Sequence, residues 1–109
     1  MNLEIDVVDE KAKSVVHLSG EVDVYTATKL KDNLLPLTYE KDHLVEVDLE
    51  SITYMDSTGL GVFISALKST NEHDSKLKLV NIQDRVLRLF NITGLDEIMD
   101  IEGIRGENS

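Results

Sequence analysis

Eight consecutive residues, Tyr54-Met55-Asp56-Ser57-Thr58-Gly59-Leu60-Gly61, bring together an acid, two aliphatic hydroxyls and two glycines at a strand-to-helix connection. Asp, Ser and Thr favour a helix start because their side-chain oxygens accept the free backbone N–H groups of the first turn. The same helix end carries positive dipole and can receive a phosphoryl group without unfolding. Phosphate on Ser57 would add about −1.5 to −2 charge beside Asp56, and a partner fitted to a neutral hydroxyl would be repelled. Thr58 is a secondary phosphorylation candidate. Asp56 either orients the hydroxyl or caps the helix, and on its own it is not a general base. Two readings of this segment remain open at this level, a well-capped helix and a phosphorylation switch. Gly59 and Gly61 each cost about 0.5–1 kcal/mol relative to Ala inside a helix, so either core backbone or an external partner requires the space.

Other chemistries fit less well. An aspartic protease would place Asp, Thr or Ser, and Gly in direct succession, whereas an extra residue separates Asp56 from Gly59, and the periodicity that follows is helical. A serine-hydrolase elbow requires glycine two residues before the nucleophile, where Met55 stands. No glycine-rich phosphate loop followed by Lys points to a nucleotide. The chain has no cysteine, and His17, His43 and His73 lack a helical ligand spacing, so no metal and no cofactor is expected. The reading is therefore a binding protein and not an enzyme.

A net charge of −10, from 21 acidic and 11 basic residues, opposes contact with nucleic-acid backbones and anionic lipid. No apolar run is long enough for a bilayer, and Met1 to Asp9 is acidic and alternating rather than signal-like, so a cytoplasmic protein is expected. With 41% hydrophobic and 29% charged residues in 109, one globular domain spanning 1–109 is expected, its tail frayed from about 102 to 109.

The elements that position the hydroxyls follow from periodicity. Leu3 to Val7 alternates as an edge or near-edge strand and pairs with Ser14 to Gly20 as a hairpin, with His17 a strand residue. Ala27, Leu30, Leu34 and Leu35 mark an amphipathic helix running from Tyr25 to near Pro36, capped by Asp23 or Thr26. Leu44 to Leu49 is a strand joined by a parallel crossover. Ser57 to Glu72 is a helix apolar around most of its circumference, leaving the row Ser57, Gly61, Ser65 and Ser69 as a narrow strip over which a partner could pack. Lys76 to Val80 is a strand, Asp84 to Asn91 a helix closed by Gly94, and Ile98 to Ile101 a last short element. An ion pair from Arg88 to Asp84 is expected across i, i+4. The order predicts an α/β domain with a mixed sheet of four to five strands and helices mainly on one face.

Three blocks then carry a resemblance: Gly20-Glu21-Val22-Asp23-Val24-Tyr25-Thr26-Ala27, Tyr54 to Phe63, and Leu87-Arg88-Leu89-Phe90-Asn91-Ile92-Thr93-Gly94-Leu95. In this order and spacing the chain resembles STAS-domain anti-sigma factor antagonists, nearest those directed at the anti-sigma-B factor. The resemblance implies the STAS fold and a partner-switching cycle. In that cycle the unphosphorylated antagonist binds an anti-sigma factor that is also a serine kinase, releasing the sigma factor for stress-response transcription. The kinase uses ATP to phosphorylate the serine of Asp-Ser-Thr-Gly, here Ser57, and a separate metal-dependent serine phosphatase restores binding. Glu21 and Asp23 would lie near the same surface and meet basic residues of the kinase. With Asp56, Thr58, Gly59, Gly61 and Ser65 they form the expected partner-binding set. An alternative within the same resemblance is a STAS binding subunit of a stress-sensing or membrane-transport assembly.

Overall fold

The computed structural model describes residues 2–103. Leu3–Asp9 (β1) and Lys13–Val22 (β2) form an antiparallel hairpin. Leu44–Met55 (β3), Lys76–Val80 (β4) and Asp100–Glu102 (β5) add to it in parallel, in the spatial order β1-β2-β3-β4-β5. Ala27–Leu34 (α1), Ser57–His73 (α2) and Asp84–Thr93 (α3) complete the expected mixed α/β arrangement, with 3₁₀ turns at Leu35–Thr38 and Leu95–Glu97.

Register sorts the side chains into two faces. Val16 lies opposite Val47, and Val47 opposite Leu79, all three buried, because period-two alternation sends these positions to one side. That side packs on Leu30 and Leu34 of α1, Leu60, Phe63 and Ala66 of α2, and Val86 and Phe90 of α3. The Phe63 and Phe90 rings, 6.2 Å apart, join α2 to α3. The intervening positions face away from this core and pair across strands: Lys13 with Glu46 (3.4 Å) and Lys78 with Glu102 (2.9 Å) as ion pairs, and His17 Nδ1 within hydrogen-bond distance of Asp48 Oδ2 (3.1 Å).

Several elements differ from expectation, each for a tertiary reason. β3 runs on to Met55, because Gly20, Glu21 and Val22 supply pairing partners for Ile52, Tyr54 and Met55 past two register shifts. Only glycine fits at position 20, where φ is +119° and an added Cβ would lie 2.2 Å from the Asn2 carbonyl oxygen. α1 begins at Ala27 rather than Tyr25. The expected fraying from 102 is corrected at its first residue: Glu102 belongs to β5, and its carbonyl accepts the Asn81 N–H at 3.0 Å. Residues 104–109 of that tail lie outside the described residues. No ion pair joins Arg88 to Asp84, and both Arg85 and Arg88 are exposed. Gly94 closes α3 in the left-handed conformation, φ 78°, as expected.

Candidate docking site at the start of the second helix

β3 delivers the chain to Asp56 beside the end of β2. Asp56 is extended, and its Oδ1 accepts the N–H groups of Thr58 (2.9 Å) and Gly59 (3.0 Å), making it the N-cap of α2. Its own N–H donates to the Val22 carbonyl at 3.2 Å. One oxygen of the carboxylate is thus engaged by backbone, which suits a cap. Ser57, the first helical residue, is exposed, and among the described residues its hydroxyl makes no hydrogen bond.

The two glycines have different reasons. At Gly59 an added Cβ would lie 2.6 Å from Val22 Cγ1 and 2.8 Å from the Val22 oxygen, so the fold itself requires the gap. Gly59 is buried against the end of β2, which corrects its expected place among the partner-facing residues. At Gly61 an added Cβ would meet nothing within 4 Å. Its backbone is bare toward solvent.

The strip from Ser57 is shorter than expected. A step of four residues overshoots a full helical turn by about 40°, so the row spirals around the helix axis. Ser57 is exposed and Ser65 half-buried, while Ser69 is buried with its Oγ 2.5 Å from Thr38 Oγ1. Ser69 therefore leaves the surface row and ties α2 to the 3₁₀ turn.

The loop between β2 and α1 lies beside this helix start. Asp23 is only 4% exposed, and its Oδ1 accepts the N–H groups of Tyr25 (2.8 Å) and Thr26 (3.1 Å). Thr26 Oγ1 accepts the Asp23 N–H at 3.0 Å and donates to the Glu21 carbonyl at 2.8 Å. These bonds shape the turn from within, which corrects the expectation that Asp23 itself faces a partner. Its Oδ2 is buried and has no hydrogen-bond partner among the described residues. Glu21 is half-buried. The turn presents Val24 and Tyr25, 61% and 81% exposed, two residues that sequence reading left out of the site. The signal was available: apolar residues enclosed by Asp and Thr in a tight turn have nowhere to go but outward. Tyr54 is also exposed.

Between α1 and α2 lies a groove of about 220 Å³ lined by Ala27, Thr28, Lys31, Thr58, Gly61, Val62 and Ser65. It brings Thr58, Gly61 and Ser65 of the expected set together on one side of Ser57. Among the described residues no group of three or more His, Cys, Asp or Glu side chains could hold a metal. No helix among them is long and apolar enough to cross a membrane.

The arrangement suits recognition by another protein, and its relatives fit. A family profile described as "STAS domain" matches residues 3–106. A protein of Listeria monocytogenes named anti-sigma-B factor antagonist is 40% identical over 108 residues, covering 98% of this chain and 95% of that one. The fold matches the crystal structure of an anti-sigma factor antagonist from Mycobacterium paratuberculosis at a TM-score of 0.82 and 23% identity, covering 93% of this chain and 86% of that one. It also matches the Bacillus cell fate determinant SpoIIAA, a structure described as the phosphorylated form, at a TM-score of 0.71 and 17% identity, covering 90% of each chain.

Proposed function

Because this chain belongs to the STAS domain family, we propose that it is an anti-sigma factor antagonist inactivated by phosphorylation at Ser57. As a single cytoplasmic domain, the unphosphorylated protein binds an anti-sigma factor with serine kinase activity and so frees a sigma factor for stress-response transcription. The kinase transfers the γ-phosphoryl of ATP to the Ser57 oxygen, the hydroxyl proton leaves, and ADP departs. A serine phosphatase reverses the state by hydrolysing the phosphate ester.

The observation that carries this reading is an unbonded, exposed Ser57 hydroxyl on a helix whose cap is supplied by its neighbour. Phosphorylation there breaks no intramolecular bond, because Asp56 and not Ser57 accepts the Thr58 and Gly59 N–H groups. The new charge stands beside Thr58 at the head of the row that continues to Gly61, and it acts by repulsion and blocked approach. Thr58 is also exposed, at the edge of the α1–α2 groove, and remains the secondary candidate.

The test is incubation with the cognate anti-sigma factor and ATP, read by intact mass and by calorimetric binding. One phosphate at Ser57, tight binding by the parent and Ser57→Ala, and at least tenfold weaker binding by Ser57→Asp are expected. Phosphate elsewhere, or equal binding by all three proteins, overturns the reading.

A further inference from the structure

With no cysteine in the chain, its only sulfur atoms are those of three methionines. Met99 is 6% exposed and Met1 lies outside the described residues, whereas Met55 is half-buried at the end of β3. Its place is particular. Met55 pairs with Val22 in the β2–β3 register and immediately precedes Asp56, the cap of α2. A Cβ added at Gly59 would lie 3.1 Å from Met55 Cγ as well as against Val22, so the Met55 side chain covers the bare backbone of that glycine. It packs where the end of the sheet meets the first turn of α2, two positions before Ser57.

We propose that Met55 is a site of oxidative modification, at which hydrogen peroxide converts the thioether to its sulfoxide and so unseats the start of α2. The sulfur attacks one peroxide oxygen, a sulfur–oxygen bond forms as the oxygen–oxygen bond breaks, and water leaves. Sulfur loses two electrons and peroxide gains them. A flexible apolar group thereby becomes a polar one with an added acceptor oxygen. The contact with Gly59 and Val22 is already too close for an added Cβ, and the N–H groups of Asp56, Thr58 and Gly59 are given to the Val22 carbonyl and to Asp56 Oδ1. The new oxygen must compete for the cap or turn out into water, and either way Gly59 loses its cover. The consequence for binding rests on the antagonist reading above: a displaced helix start misplaces Ser57, so the oxidised protein docks poorly even without a phosphate. A dithiol-dependent methionine sulfoxide reductase reverses the step.

The test is graded hydrogen peroxide treatment, read by peptide mass mapping, thermal melting and calorimetry against the cognate anti-sigma factor. Met55 is expected to gain one oxygen before Met99, with a lower melting temperature and binding weakened about fivefold or more, both restored by the reductase. Met55→Leu, close in volume, is expected to melt and bind like the parent and to keep both properties after the same treatment. Oxidation of Met99 ahead of Met55, a Met55 sulfoxide that melts and binds like the parent, or equal loss in Met55→Leu overturns the proposal. Failure of the untreated parent to bind overturns the antagonist reading, while the order of oxidation and the melting temperatures still decide whether Met55 is the oxidised site that seats α2.

Discussion

At the scale of single residues, adjacent positions of like composition do unlike work. Gly59 and Gly61 are two residues apart in one helix, yet the first is required by Val22 of the same chain and the second by nothing within it. Gly59→Ala is accordingly expected to lower stability toward urea by about 1–3 kcal/mol through overpacking against Val22. The shift in denaturation midpoint checks this, with Gly61→Ala as a control that moves in the opposite direction. Asp56 and Ser57 divide their labour similarly. The acid holds the helix end and leaves the hydroxyl without structural duties, so the residue proposed to change state is one that the fold can spare.

At the scale of elements, local pattern showed what pairs and packs, and long-range contact set where each element stops. Alternation in Leu3 to Val7, Ser14 to Gly20 and Lys76 to Val80 marked three strands, and the apolar spacing after Ser57 marked α2. The extension of β3 to Met55 was not legible, since it depends on Gly20 to Val22 arriving from far upstream in the chain. Nor was the burial of Asp23 and Ser69, because an isolated acid or hydroxyl reads as surface until its partners Thr26 and Thr38 are brought to it. The candidate site was visible as Asp56-Ser57-Thr58, while its second wall, the Lys31 side of α1, needed the tertiary structure. The short β5 is held partly by Lys78, whose hydrogen bond to Glu102, then the charge of Glu102, raise its pKa above the ordinary 10.5. A raised lysine pKa means the folded state binds its proton more tightly. The contribution is therefore complete below pH 10.5 and fades as pH rises through the higher folded value. The difference in melting temperature between the parent and Lys78→Met should narrow as pH is taken above 10.5.

At the scale of the whole molecule, a charge of −10 acts on any partner before contact. If, as proposed, the partner presents a basic surface, association should slow as salt rises from about 0.05 to 0.5 M, with a smaller change in dissociation, because screening acts on the approach. Stopped-flow rates at several ionic strengths measure this, and a salt-independent association rate contradicts it. The two faces of the sheet are unequal in the same respect. One is filled by three helices, and the other carries cross-strand ion pairs such as Lys13 with Glu46 and Lys78 with Glu102. On the proposed reading the molecule carries one docking surface, at the start of α2, and so has a valency of one. Complexes built with a valency of one terminate: they cannot chain or form networks, and each copy removes one binding place on the partner and no more. On the proposed reading a cell using this protein would be counting: its response would rise with each unmodified copy and level off once the copies outnumber the partner.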